Sequence, residues 1–414
     1  MNIADEFGKL GKSLRSESAS LQDVMRVRVS DEDLIDGLDS RIYNHCLNKT
    51  ELTKHFHLSK PTFNKRLQEA VDNGVIGEPI YQNKTHLYTR HDIHHLKQAW
   101  GGKVYSDEYN PKAIAIVNHK GGTGKSTTSA LLSTNAALDL NDYANVLLID
   151  MDPQGSQGIN LKLKASEKNI EDTVYITIVD LLLAEFEEDN IVRNYLEQGY
   201  EYDDLISAAP VDTHLPNMKV FPAFPDDDRF TDIFSSLNYD NKMSLLIALR
   251  EKIIPILKKK FDLIIIDTPP QDSPLTWVVL EAIDGLFVPV TPHELDFSST
   301  ANYALSLEKR FTELPNKGEN IEWYKFAAVN FNDTSSSDKN VLNKLIRGLK
   351  ENLMTAQLAQ SELFLEASVK GCTILDLKKS QSVTATKQFD KAIISSNAFC
   401  SQFMNEIKRI ASKG

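Results

Sequence analysis

Cysteine is scarce in this chain: three residues in 414, Cys46, Cys372 and Cys400, far apart and with no C-x-x-C pair. Such spacing provides neither a disulfide framework nor a cysteine metal site, and the three read as reduced thiols. No apolar run approaches the roughly 20 residues that span a bilayer, and the start, MNIADEFGKLGKSLRSE, is too polar for a secretory signal. A cytoplasmic location is therefore expected. The absence of a period of roughly 20 to 50 residues, and of low-complexity tracts, sets aside repeat architectures. What is present, 41% hydrophobic and 25% charged residues, is the composition of a globular protein of about two to three domains.

The net charge of −12 is unevenly spread: residues 1–105 carry +1, residues 106–369 carry −18, and residues 370–414 carry +5. Binding to nucleic acid needs only a local basic surface, so the acidic total does not exclude it, and candidate surfaces come from the two ends.

The first 40 residues are polar, and DEDLIDGLDSRIYNHCL is the first stretch able to bury a helix face; residues 1–45 read as an N-terminal helical arm that could serve dimerisation. Residues 46–105 read as a small module of two short helices, LTKHF and PTFNKRLQEAVDNG, and a hairpin, GEPIYQNKTHLYT, turning at Asn83-Lys84. The turn-rich GGKVYSDEYNP at 101–111 marks a boundary. Beyond it, over 106–414, strands alternate with helices. The strands are AIAIVN (113–118), NVLLID (145–150), FDLIIID (261–267), GLFVPV (285–290) and KFAAVN (325–330), and a helix runs over 125–140. Continuous apolar strands are what a parallel sheet buried on both faces requires, so an α/β, doubly wound, mostly parallel fold is expected.

The strongest signal is AIAIVNHKGGTGKSTTSALL, a buried strand entering a Gly-rich turn and then a helix, the context of a P-loop. Gly121, Gly122 and Gly124, with Thr123 between them, let backbone N–H groups face a β-phosphate, and the helix N-terminus adds partial positive charge. Lys125 is placed to bridge β- and γ-phosphate oxygens, Ser126 to offer its hydroxyl to Mg²⁺, and Thr127 to reach the α-phosphate. Asp267 ends FDLIIID just before Thr268-Pro269-Pro270, the position of a carboxylate that holds Mg²⁺. Asp152, just past NVLLID, is a second carboxylate at a strand end, and Asp150 a weaker candidate that equally well caps a turn.

One departure is informative: the common motif has glycine at the position of His119, and a second lysine, Lys120, precedes the double glycine. K-G-G-T-G-K-S-T resembles the deviant Walker A motif of the ParA/MinD family. The resemblance implies that Lys120 is a signature lysine reaching a nucleotide held by the opposing subunit, and that Asp152 is a switch aspartate at the metal that orients the attacking water. It places Pro292, in FVPVTPHELDFSS, in a loop near the adenine, and Asn330 as a base contact. It covers roughly residues 112–410, with an acidic insertion around 160–250 left unassigned.

Within the family the cysteines do not suit a bridging iron–sulfur cluster. The terminal stripe Phe399, Phe403, Ile407 and Ile410 could be a membrane-targeting helix but is better read as packed on its own domain. The N-terminal module has the form of a winged helix-turn-helix. Its second helix presents Lys60, Thr62, Asn64, Lys65 and Arg66, donors for phosphates and base edges, and Lys84 tips the wing. Residues 49–105 hold nine Lys and Arg against five Asp and Glu, and six histidines; His55, His57, His91, His94 and His95 lack a carboxylate or cysteine arrangement and read as surface groups. The whole then resembles large plasmid-type ParA partition ATPases. That implies a homodimer binding ATP or ADP with Mg²⁺, nonspecific DNA in the ATP state, operator DNA through the N-terminal module, and a ParB-type partner that stimulates hydrolysis at the nucleoid. Arg347, Lys378, Lys379 and Lys387, with Lys350, Lys370 and Lys391, are candidates for the nonspecific surface. The competing expectations are a nucleotide-sensing repressor without cargo and a MinD-like membrane-positioning ATPase.

Overall fold

The computed structural model describes residues 9, 40–82, 84–154 and 175–413. Most of the arm expected over 1–45 lies outside the described residues, as does Asn83 of the hairpin turn; the end of the arm forms helix α1 (Ser40–Asn44).

A small N-terminal module follows. Strand β1 (Leu47–Asn48) leads into α2 (Lys49–His55), which starts where it does because Asn48 and Glu51 close a capping box. Helix α3 (Lys60–Asp72) is capped by Ser59 and carries Pro61 in its first turn, where a missing N–H costs nothing. Strands β2 (Ile80–Gln82) and β3 (Thr85–Tyr88) pair antiparallel, β1 adds to β3, and α4 (Arg90–Trp100) closes the module behind a Thr89/Asp92 capping box. Leu52, Phe63, Leu67, Ile76, Tyr88, Ile93 and Leu96 form its core. The turn-rich boundary at 101–111 is more than a tether: it contains a one-turn helix, Tyr105–Glu108, and Tyr105 is buried in the core of the large domain.

The large domain is built on a seven-stranded sheet in the order β10-β9-β4-β8-β5-β7-β6. Its strands are β4 (Lys112–Ile116), β5 (Val146–Asp150), β6 (Val211–Asp212), β7 (Met218–Phe221), β8 (Leu263–Asp267), β9 (Gly285–Val290) and β10 (Trp323–Ala328). All pairs are parallel except the edge pair β6–β7. Every residue of β4, β5, β8 and β9 is buried. The strand period of two divides them between two cores: Ala113, Ala115, Leu147 and Ile149 face one side, and Ile114, Ile116, Val146 and Leu148 the other. The second face is covered by α5 (Lys125–Leu138) and by a terminal helix, Thr386–Ala411. Phe399, Phe403 and Ile407 are fully buried there, Phe403 against Phe287 and Trp323, so the terminal stripe is spent on the core. Among the described residues no helix is long and apolar enough to cross a membrane.

The acidic stretch that the sequence left unassigned is helical beyond the undescribed residues 155–174, with helices at Ile178–Leu183, Ile191–Glu197, Tyr202–Ala208, Arg229–Ser236 and Tyr239–Ala248. Part of its acid is structural. Asp180 closes the capping box of the first of these helices, and the Arg229 guanidinium pairs with Asp180, Glu187, Asp226 and Asp227.

Candidate functional site

The C-terminal ends of β4, β5 and β8 lie side by side, and the loops leaving them form the site, as parallel α/β sheets dispose ligand crevices. After β4, Asn118 turns inward: its amide donates to Pro289 O at 2.9 Å and its Oδ1 accepts the Lys120 N–H at 3.0 Å, which fixes the start of the loop. Gly122 and Gly124 then take positive φ, 75° and 74°, a left-handed backbone that a side chain would strain. Gly124 is the N-cap of α5, so the loop delivers Lys125 and Ser126 to the first turn of that helix. Gly121 and Gly122 are exposed, and added Cβ atoms there would meet nothing within 4 Å.

Lys125 is buried at 6% exposure. Burial lowers its ammonium from the ordinary lysine value, while the negative charges of Asp267 and Asp152 act in the opposite direction. Those two carboxylates, 115 positions apart in sequence, are thus brought to one cation. Asp267 is fully buried at the end of β8, and Ser129, one turn into α5, donates to its Oδ1 at 3.2 Å and to Lys125 O at 2.9 Å. Thr268 donates to Ile116 O at 2.8 Å and so locks the turn after β8 to the strand that feeds the loop. Asp150 Oδ1 accepts the Asp152 N–H at 3.0 Å, and Asp152 Oδ1 accepts the Gln154 N–H at 3.0 Å. Asp150 therefore acts as a turn cap, and Asp152 caps a turn while its charge is felt at Lys125.

Thr123 is buried with its hydroxyl on Lys120 O, Thr127 is exposed, and Ser126 is half-buried. The Lys120 side chain is exposed at the rim. Pro292 is buried, and Asn330 is exposed after β10 with φ 54°. Val329, beside it, comes within van der Waals contact of a Cβ built on Gly124, so the ends of β9 and β10 border the loop. The residues fit a nucleoside triphosphate with magnesium: backbone donors and a buried ammonium for the phosphates, and a hydroxyl and two carboxylates for the ion.

Sequence reasoning missed Asn118, Ser129 and Thr268. It also missed a group on the neighbouring turn, where Asp272 accepts from Arg310 and Trp277 while His119 packs edge-on to the buried Tyr303. Asn118, Ser129 and Thr268 lie within or beside the motif segments, but their partners are distant in the chain.

Away from this site, Lys60, Thr62, Asn64, Lys65, Arg66 and Lys84 are all exposed, the first five on α3. Arg347, Lys378, Lys379 and Lys387 are exposed as well. The C-terminal lysines are not uniformly unopposed: Lys370 pairs with Glu366, Lys379 with Asp390 and Lys391 with Asp333. Two of the histidines depart from their expected surface role: His94 bonds the Tyr143 hydroxyl of the large domain, and His91 buries its Nε2.

The model of a family described as an AAA domain matches residues 111–302. A putative replication protein A of Sinorhizobium fredii is 24% identical over 69% of this chain and 66% of its own length, just under two thirds. A plasmid partition protein A of Escherichia coli is 24% identical over 68% and 69%. Among solved structures, one described as a partition protein has TM-score 0.61 at 16% identity, covering 98% of this chain and 99% of its own. A plasmid partition protein of Borrelia burgdorferi, bound to AMPPNP, has TM-score 0.50 at 19% identity over 72% and 100%. With an early lysine and a double glycine in its phosphate loop, on a fold that these structures share, the chain is similar to partition proteins.

Proposed function

We propose that this protein is a DNA partition ATPase of the ParA type, which binds ATP with Mg²⁺ as a homodimer and hydrolyses it under the control of a ParB-type partner. The observation that carries the reading is the buried Lys125, within the field of Asp267 and Asp152, on a helix tied to Asp267 through Ser129 and beneath a loop that keeps a second lysine, Lys120, at its exposed rim. Likeness to partition proteins supports the cargo.

In this reading the loop N–H groups and Lys125 hold the phosphates, and Ser126, Asp267 and Asp152 hold the ion; magnesium bound there supplies charge neutralisation at the transferring phosphoryl group. Asp152 orients the attacking water. Lys120 of one protomer completes the site of its partner, which makes hydrolysis conditional on dimerisation and slow until the partner protein acts. Pro292 and Asn330 border the base. The exposed face of α3 reads operator DNA with Lys84 on the flanking backbone, and Arg347, Lys378, Lys379 and Lys387 track nonspecific DNA, which locates the protein at the nucleoid.

The test is binding of the full chain to a random-sequence DNA fragment with ATP, ADP or no nucleotide, in Mg²⁺ at two salt concentrations. ATP-dependent binding that weakens steeply with salt is expected. Binding confined to one operator sequence would replace this reading with a nucleotide-sensing repressor, and ATP-dependent sedimentation with anionic vesicles would replace it with a membrane-positioning ATPase.

A further inference from the structure

His45, His214 and Asp376 come from three separated parts of the chain and meet in a buried cluster at the junction of the N-terminal module and the large domain. His45 follows α1, His214 lies in the loop between β6 and β7, and Asp376 ends a short 3-10 helix, Ile374–Asp376. Both histidine Nε2 atoms lie 2.8 Å from the same carboxylate oxygen, Asp376 Oδ1. The other oxygen, Oδ2, is occupied by the Thr373 N–H at 2.7 Å and the Thr373 hydroxyl at 2.8 Å, so the carboxylate offers a single oxygen to the histidines. His214 is 1% exposed, Asp376 1% and His45 9%, and the two imidazoles lie nearly parallel, 5.8 Å between centroids.

We propose that His45, His214 and Asp376 form a binding site for a divalent transition-metal ion of the zinc class, which pins α1 and the module behind it to the large domain. Two imidazole nitrogens and one monodentate carboxylate oxygen are the donor set that zinc takes, with its fourth position left for water. Ligand atoms on a tetrahedral zinc stand about 3.3 Å apart, given bonds of about 2.0 Å. The observed 2.8 Å separations therefore need to open by only about half an ångström.

A metal-free cluster must place both Nε2–H groups on one oxygen. An ion in the pocket draws both nitrogens and the carboxylate by their lone pairs instead. Arg90, whose positive charge is felt at His45, tempers the affinity. The site stands apart from the phosphate loop and would be structural: it fastens residues on either side of the hydrogen bonds from Arg41 to Gly371 O and from Asn44 to Asp376 O.

The experiment uses the full chain, stripped with chelator, incubated with a small excess of Zn²⁺ in the presence of Mg²⁺, desalted, and assayed for metal by mass spectrometry. About one zinc per chain is expected in the unaltered protein, with retention falling at least about tenfold in His214→Gln and in His45→Gln. His94→Gln, on the same interface, should retain zinc unchanged. Gln at position 45 keeps an amide donor for Asp376, so circular dichroism should show His45→Gln folded even if His214→Gln is not. A second readout is thermal: Zn²⁺ should raise the midpoint of the unaltered protein and leave that of His45→Gln where it was. Retention below about a fifth of a zinc per chain, or equal retention in the unaltered protein and His45→Gln, would overturn the site and leave a hydrogen-bonded His–Asp–His cluster.

Discussion

Ser129 has one hydroxyl hydrogen and two acceptors within reach, Lys125 O and Asp267 Oδ1. It is fully buried and ties the Asp267 carboxylate to the helix that carries Lys125. Ser129→Ala should cost about 1 kcal/mol of stability and remove one of the bonds that orient Asp267, so that the Mg²⁺ concentration at half-maximal ATP turnover rises several-fold. An unmoved Mg²⁺ dependence would reduce Ser129 to a helix contact. The two loop lysines should separate in their effects. Lys125 is buried within the field of Asp267 and Asp152, and Lys125→Gln should abolish nucleotide binding measured by calorimetry, because no other ammonium takes its place. Lys120 is exposed at the rim, so Lys120→Gln should keep binding and lose steady-state turnover about a hundredfold or more. Equal hydrolysis by Lys120→Gln and the unaltered chain would remove its role across the dimer.

At the level of elements, the loop that carries the C-terminal lysines is organised by one carboxylate. Glu366 accepts from Lys370 Nζ at 2.6 Å, Ser382 Oγ at 2.7 Å, Thr384 Oγ1 at 2.9 Å and the Val383 N–H at 3.2 Å. Burial alone would raise its carboxyl, but Lys370, Ser382, Thr384 and the Val383 N–H outweigh burial and hold it down at about 2, against 4.5 ordinarily. A depressed carboxylate stabilises the fold fully above its ordinary value, and that contribution fades as pH falls from 4.5 toward 2. The urea midpoint of Glu366→Gln should therefore lie below that of the unaltered protein at neutral pH, and the gap should close on acidification. A gap independent of pH would mean that charge plays no part. This hub also shows what the sequence could not carry. The strands around the phosphate loop were legible because each is a continuous apolar run, and Lys125, Ser126 and Asp267 because the motif is local. Strand β7 was not, since MKVF is four residues in an acidic, turn-rich stretch. Ser129 was invisible as a site residue because its partner is 138 positions away, and His45, His214 and Asp376 are farther apart still. Only the folded chain sets such groups side by side.

For the whole molecule, the decisive contact is between the N-terminal module and the C-terminal end of α5. Helix α5 begins at the loop glycines and ends at Leu138, where it leaves carbonyls without intrahelical partners. Arg90, at the start of α4, donates to Leu138 O at 3.1 Å, and Lys97 of the same helix donates to Leu140 O at 2.8 Å. The cations thus sit where the helix dipole is negative. Asn217 fastens the same end from the sheet side, donating to Ala137 O and Ala144 O. One helix therefore has its N-terminus in the candidate nucleotide site and its C-terminus held by the module that carries α3. Displacement at the loop has a rigid path to the module through α5, and the coupling need not pass through solvent. Arg90→Ala removes a charge-assisted bond worth about 1.5–3 kcal/mol and exposes the helix end to the module's independent motion. Hydrogen exchange should accelerate over residues 90–100 and 136–144 while β8 and β9, buried throughout, stay protected. Addition of ATP should then change exchange in α3 less in Arg90→Ala than in the unaltered chain. An ATP response of α3 that survives the substitution in full would show that the module senses the nucleotide by another route.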